Sequence, residues 1–115
     1  MHTVCENVTV NDTAIRALQR ELPEDACFEK SANLFKALSD PSRAKIIWAL
    51  NREELCVHNL TALLGMSQSS VSHQLSGLRA AGIVTARKSG KEVYYTLADH
   101  HIREIFEAGF EHAKE

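Results

Sequence analysis

The chain of 115 residues has the size of a single domain, and its 44% hydrophobic residues are enough for a small core. No apolar stretch approaches the ~18 residues of a membrane-spanning helix, and the N-terminal residues lack the basic and apolar regions of a signal peptide. The net charge of −2 does not by itself indicate a nucleic-acid-binding protein. Three cysteines, an odd number, are expected to be free thiols in a reducing compartment. We therefore expect a cytoplasmic protein.

The predicted organisation is a flexible N-terminal tail at 1–11 followed by one domain at 12–115. The first helix is expected at 13–22, where Asp12 is the cap and Pro23 stops the helix.

A second helix is predicted at 26–38 and a third from Pro41 to about Asn51. The third has a strong start, because Asp40 is a good N-cap and proline is well suited to the first helical position. The apolar spacing predicts which side chains face the core: Phe28, Ala32, Phe35 and Leu38 in the second helix, and Ala44, Ile47, Trp48 and either Ile46 or Leu50 in the third.

Two further helices are predicted around a glycine. The first spans 57–64 and ends at Gly65, a typical left-handed C-cap. The second spans 68–81, is capped by Ser67 and ends at Gly82, and its inward stripe is Val71, Leu75 and Leu78.

Two strands are predicted at 83–87 and 92–97, joined by a glycine-containing turn at 88–91. Helix, turn, helix and hairpin in this order predict the fold class: mainly α with a small β-hairpin, a winged helix-turn-helix.

This segment is the predicted DNA-binding element. Residues 68–95 carry four basic side chains and one acidic one, a local charge of +3. In such folds the N-terminal residues of the second helix reach base edges. They are Gln68, Ser69, Ser70, Ser72 and His73, and Gln68 is the best candidate for pairing with adenine. The wing residues Arg87, Lys88 and Lys91 suit phosphates or the minor groove.

Other roles remain open for some of these residues. The only role of Ser67 and Ser70 could be to cap a helix, and His73 could be a packing residue. A hydrolase using Ser70 and His73 is disfavoured, because the chain has no G-x-S-x-G elbow.

The C-terminal segment 99–115 is predicted to be one amphipathic helix with a local charge of −3. Its apolar residues at helical spacing are Ile102, Ile105, Phe106, Phe110 and Ala113. The segment also contains four residues of types that bind metals: Asp99, His101, His112 and Glu115. His101 and His112 lie about 20° apart around the helix but ~16 Å apart along it. One metal ion therefore cannot bridge both within one chain.

A second copy packed antiparallel, with its midpoint near Phe106 and Glu107, would bring the ligands from opposite ends of the helix together. Asp99 and His101 of one chain would then face His112 and Glu115 of the other, which gives two four-ligand N/O sites per dimer. The alternative is a solvated polar face on which the histidines are incidental.

Several motifs together resemble the ArsR/SmtB family of metal-responsive repressors. They are ALSDPSR at 37–43, ELCV at 54–57, SQSSVSHQL at 67–75, RKSGK at 87–91 and DHHI at 99–102. The resemblance covers about residues 12–115. It implies a winged-helix repressor, homodimeric through its N- and C-terminal helices, that binds operator DNA without metal and releases it when metal binds. The family's Asp-x-His and later His-x-x-Glu pattern falls on the same four residues of the C-terminal helix.

A second metal site is implied by the resemblance, at the Glu-Leu-Cys-Val segment with ligands from the tail. Here it would use Cys5, Cys56 and His58, with His2 or a water as a further ligand. Asn59 replaces the family's usual Asp, and a second tail cysteine is missing, so an all-thiolate site is disfavoured. Mixed sulfur and nitrogen ligation favours zinc or cadmium over lead, although lead is possible.

Two of the three cysteines, Cys56 and Cys27, could also have roles other than metal binding. Cys56 could be a small buried residue. Cys27 is expected in the core, although it could supply a missing thiolate.

The leading hypothesis is a repressor of metal resistance or efflux genes whose partners are double-stranded operator DNA, a second copy and zinc- or cadmium-type ions, with no membrane. One alternative is a thiol-based redox or sulfur-responsive repressor on the same scaffold, using Cys5, Cys27 and Cys56. A metal-storage protein is less favoured because of the basic wing. An enzyme is not expected, because the chain has no H-E-x-x-H motif.

Overall fold

The computed structural model describes residues 12–115, and the predicted tail at 1–11 lies outside them. No helix within 12–115 is long and apolar enough to cross a membrane. The described chain divides into two compact units, of which one ends at Lys30 and the other begins at Ser31.

The first unit contains helix α1, Asp12–Glu21, and the beginning of helix α2, Asp25–Ala37. α1 begins one residue earlier than predicted, at the residue expected to cap it, and Pro23 lies in the short connection that follows. The large apolar side chains of this unit are exposed: Ile15, Leu18, Leu22 and Phe28.

The second half of α2 belongs to the second unit. The predicted inward face of α2 was wrong for Phe28, Ala32 and Phe35 and was confirmed for Leu38. Phe35 is 57% exposed and Ala32 is also exposed, whereas Ala37 is buried and Leu34 and Leu38 pack against the core. The face of α2 with Leu34, Ala37 and Leu38 packs against the core, so Phe35 on the adjacent face remains exposed.

Helix α3, Pro41–Leu50, starts as predicted, with the Asp40 carboxylate accepting the Arg43 N–H at 3.1 Å. Ile46, Ile47, Ala49 and Leu50 are buried. Ala44 and Trp48 are only half-buried, because they lie at the edge of the core. There the Arg52 guanidinium covers the Trp48 ring at 4.6 Å.

Helices α4, Val57–Leu64, and α5, Gln68–Ala80, form the helix-turn-helix. Between them Gly65 has φ +68°, a left-handed conformation that L side chains rarely adopt, and its N–H bonds the Thr61 carbonyl. Ser67 caps α5 by accepting the Ser70 N–H at 3.1 Å. The three predicted inward residues of α5, Val71, Leu75 and Leu78, are fully buried.

Strands β2, Val84–Ser89, and β3, Glu92–Leu97, form the hairpin. The turn is shorter than the predicted 88–91, because Lys88 and Ser89 still pair with β3. Gly90 and Lys91 make the connection, and Gly90 has φ +63°, which suits the first position of a two-residue hairpin turn.

A two-residue strand that the sequence did not indicate, β1 at Leu55–Cys56, adds to this hairpin. The sheet order is β1-β3-β2, and all pairs are antiparallel. β1 joins the hairpin to the start of α4.

Helix α6, His100–Lys114, closes the chain, and Asp99 is its N-cap rather than part of it. Ile102 is buried and Ile105 and Phe106 are half-buried, whereas Phe110 is 42% exposed. The core is shared by α2, α3, α4, α5, the sheet and α6: Ala37, Ile46, Ile47, Ala49, Leu50, Leu60, Val71, Leu75, Leu78, Ile83, Val84, Leu97 and Ile102.

Candidate DNA-binding surface and metal-ligand residues

The N-terminal end of α5 presents its polar side chains to solvent. Gln68, Ser69, Ser72 and His73 are exposed, while Ser70 is half-buried. Ser67 accepts the Ser70 N–H and its hydroxyl lies 3.3 Å from that of Ser69, so these serines also stabilise the helix start. The capping role and an exposed polar end therefore coexist.

Gln68 lines a polar cleft of about 230 Å³ between α4, the start of α5 and the wing. The other lining residues are Val57, His58, Thr61 and Glu92. Gln68, the residue predicted to read a base edge, therefore lies beside the wing residue Glu92.

The basic residues of the wing differ in their surroundings. Lys88 and Lys91 are exposed near the tip. Arg87 instead makes a two-point contact with Glu54: its Nε donates to Oε2 and its Nη2 to Oε1, both at 2.7 Å. Its guanidinium also lies 5.3 Å from the centre of the Tyr94 ring.

The ion pair affects the acidity of both partners. The Arg87 hydrogen bonds lower the pKa of Glu54 below its usual value. The same hydrogen bonds to Glu54 raise the pKa of Arg87.

The four predicted ligands of the C-terminal helix divide between its two ends. At the start, His101 Nδ1 lies 3.7 Å from Asp99 Oδ1, and both side chains are largely exposed. Asp99 Oδ1 also accepts the Ile102 N–H at 3.1 Å. His112 and Glu115 lie exposed at the other end of α6. No three His, Cys, Asp or Glu side chains among residues 12–115 cluster closely enough to hold a metal ion.

Of the second predicted ligand set, the structure describes Cys56 and His58. Cys56 is only 4% exposed, and its thiol donates to Asn59 Oδ1, which also accepts the Cys56 N–H; both distances are 3.2 Å. His58 is exposed. Cys5 and His2 lie outside the described residues. Cys27, expected in the core, is exposed on α2, so that prediction was wrong.

α6 is fastened to the end of α3 by an arginine. Arg103 Nη1 donates to the backbone oxygen of Asn51 at 2.9 Å and to its Oδ1 at 2.6 Å. The helix with the Asp99 set is therefore tied directly to the body of the domain.

An apolar depression of about 440 Å³ lies along the uncovered face of α6. It is lined by Phe35, Leu38, Ile105, Phe106, Gly109, Phe110 and Ala113. A contiguous apolar patch of this kind indicates a surface for association.

Sequence reasoning missed the Glu54–Arg87 and Asn51–Arg103 contacts. Their partners are separated by 33 and 52 residues, so local patterns carry no signal for them.

A helix-turn-helix followed by a basic two-stranded wing defines the class: this is a winged helix-turn-helix DNA-binding protein. The family model for "Bacterial regulatory protein, arsR family" matches residues 40–86. The chain is 38% identical over 112 residues to a transcriptional repressor SmtB homolog of Synechocystis sp., covering 97% of this chain and 85% of that protein.

Two further comparisons agree. A cadmium resistance transcriptional regulatory protein CadC homolog of Staphylococcus aureus is 35% identical over 113 residues, 97% of this chain and 93% of that one. A homodimeric winged helix-turn-helix domain of a possible ArsR-family regulator from Mycobacterium bovis superposes with a TM-score of 0.74 at 28% identity, covering 79% and 84% of the two chains. The chain belongs to the ArsR/SmtB family, and it is a transcriptional regulator, not an enzyme.

Proposed function

We propose that this protein is a homodimeric repressor that holds operator DNA when metal-free and releases it on binding zinc- or cadmium-type ions. Its target genes would then serve metal resistance or efflux. The relatives named for repression and for cadmium resistance support this function, and the homodimeric Mycobacterium bovis structure supports the assembly. The apolar residues left exposed on α1 and on α6 are the surfaces proposed for dimerisation.

The proposed DNA contacts come from α5 and the wing. Gln68 would read a base edge, with Ser69, Ser70, Ser72 and His73 beside it. Lys88 and Lys91 would contact phosphates. Arg87 lies on the same wing, but Glu54 already holds its guanidinium.

One observation carries the metal response: an exposed carboxylate and an exposed imidazole lie together at the start of α6, and a further exposed imidazole and carboxylate, His112 and Glu115, lie at its other end. Asp99 and His101 are close enough to share an ion, whereas His112 and Glu115 of the same chain are a helix length away. Two nitrogen and two oxygen donors fit zinc. The ion, when bound, would supply coordination bonds between two chains.

The residues of the chain would turn this bond into a signal. Asp99 begins α6 and Arg103 fastens α6 to Asn51, so a change in the α6 pair reaches the body that carries α5 and the wing. An operator affinity lower by about 100-fold requires about 2.7 kcal/mol of coupling. By reciprocity, DNA would weaken metal binding by the same factor.

The experiment is fluorescence anisotropy with a labelled duplex from the region upstream of the gene, titrated with protein, then zinc or cadmium chloride, then chelator. His101→Ala should bind the duplex but keep it in the presence of zinc. The matched control is His100→Ala, whose ring lies 4.1 Å from that of His101 but is not a proposed ligand. Normal release from His101→Ala would remove the α6 site from the proposal.

Cys5, Cys56 and His58 are the second proposed ligand set, for zinc, cadmium or lead. Ligation would require the Cys56 thiol to give up its hydrogen bond to Asn59, which makes this set the weaker of the two. Cys56→Ser tests it in the same titration. An oxidant could instead release the DNA. If added thiol restored DNA binding and a chelator had no effect, redox control would be indicated.

A further inference from the structure

The wing carries one arginine that is tied to the protein itself. Arg87 lies on β2 opposite Tyr94 of β3, and Tyr94 in turn pairs with Cys56 of β1. From this position the Arg87 side chain passes the Tyr94 ring and reaches Glu54, the residue before β1. The contact therefore spans the sheet from one edge strand to the other.

The location of this contact is mechanically important. Cys56, Tyr94 and Arg87 form the last rung at which the sheet has three strands. Beyond it the hairpin continues with the pairs Lys88–Val93 and Ser89–Glu92 alone. Because an isolated two-stranded hairpin is only marginally stable in water, the contacts at its base decide how it is held.

The geometry points to Arg87 as a positioning residue: its two-point contact with Glu54 fixes the direction of the wing. Nε and one Nη2 hydrogen are held by the carboxylate at 2.7 Å, and this two-point, charge-assisted contact fixes the plane of the guanidinium. Lys88 and Lys91, exposed beyond the last three-stranded rung, are the proposed phosphate contacts. This inference rests on the proposed binding of operator DNA by α5 and the wing.

The two roles of Arg87 make opposite predictions for Glu54. If Arg87 contacts phosphate, Glu54→Gln removes a competing negative charge and tightens DNA binding. If Arg87 positions the wing, Glu54→Gln weakens binding although the protein becomes less negative. Arg87→Lys separates the roles again, because lysine keeps the charge but cannot form the planar two-point contact.

The test measures the affinity of the full-length protein for the labelled upstream duplex across a range of salt concentrations. We expect Glu54→Gln and Arg87→Lys each to weaken binding by about threefold without changing the slope of log affinity against log salt. The control Lys91→Gln should lower that slope by about 0.9, the value for one lost phosphate contact. Tighter binding by Glu54→Gln, or unchanged binding by Arg87→Lys, would overturn the positioning role.

Amide hydrogen exchange of the free protein provides a readout that does not need DNA. Glu54→Gln should speed exchange in the wing at Lys88 and Val93 while leaving Leu75 in α5 unchanged. Equal exchange in the wing of both proteins would refute the inference. Failure of the wild-type protein to bind the duplex would count against the proposed operator function, and the exchange result would still decide the role of Arg87.

Discussion

The helix-turn-helix with its wing and the C-terminal helix use their apolar residues differently. In the first region Leu60, Val71, Leu75 and Leu78 are at most 1% exposed. In α6, apolar burial is nearly complete at Ile102 and declines along the helix until Phe110 is 42% exposed. The core of the DNA-binding element is thus complete within one chain, while the helix with the proposed metal ligands leaves an apolar face uncovered. This difference separates the residues that stabilise one chain from the apolar face proposed for dimerisation.

The largest expected effect is on the stability of the helix-turn-helix core. Leu78→Ala should lower the free energy of unfolding by about 2–5 kcal/mol, because it removes a fully buried side chain and leaves a cavity. Urea unfolding at one fixed protein concentration measures it. Leu63→Ala, at a position 56% exposed, is the control and should change stability by less than about 0.5 kcal/mol. Equal effects at the two positions would contradict the burial described here.

Phe110→Glu tests whether the uncovered apolar face of α6 forms the dimer interface. A charge on the uncovered face of α6 should raise the dimer dissociation constant by about 100-fold, because each chain loses an aromatic ring from the interface. Sedimentation velocity gives the dissociation constant. The control Leu63→Glu places the same charge on a comparably exposed leucine of α4 and should leave the dimer intact. A stable Phe110→Glu dimer would place the interface elsewhere.

Arg103→Ala removes the contact that holds α6 to the end of α3. It removes hydrogen bonds from Nη1 to the backbone oxygen and Oδ1 of Asn51, and should cost about 1–2 kcal/mol in thermal or urea unfolding. The control is Lys114→Ala, whose exposed contact with Glu111 at 3.4 Å contributes close to nothing. If both variants unfold alike, α6 is held by its apolar contacts alone.

The smallest effect is a pH dependence in the wing. The pKa of Glu54 is lowered by Arg87, so the stabilisation from this pair is present above the ordinary Glu range and is lost as pH falls through the lowered pKa. The stability difference between wild type and Glu54→Gln should therefore be constant near neutral pH and vanish in acid. Glu53→Gln, at the adjacent exposed carboxylate, is the comparison variant. A difference that persists in acid would mean that the glutamine itself disturbs the loop.

Local signals in the sequence were enough to predict most of the fold. Gly65 and Ser67 end and begin helices through their own backbone and side chain, and the inward stripe of α5 follows from helical periodicity. The face of α2 could not be predicted in this way. Its phenylalanine stripe is apolar at helical spacing, yet Phe35 remains exposed, because periodicity marks a face that needs cover without saying what covers it.

The candidate site was predictable to the same degree. The sequence assigned Asp99 and His101 to the same half of the site. The structure brings their side chains to 3.7 Å because Asp99 is the N-cap of α6 and not a helical residue. The separation of His112 from them follows from helix rise alone. The convergence of the four ligands across two chains stays a prediction. The contacts from Arg87 to Glu54 and from Arg103 to Asn51 depend on tertiary packing, so no pattern along the chain announced them.

The hydrogen bond that begins α6 has a consequence for binding. Asp99 Oδ1 is already held by the Ile102 N–H and already lies beside His101, before any ion arrives. A free carboxylate would lose rotational entropy when it became a ligand, and here the helix has removed that freedom in advance. One half of the proposed site is therefore preorganised by the same bond that starts the helix.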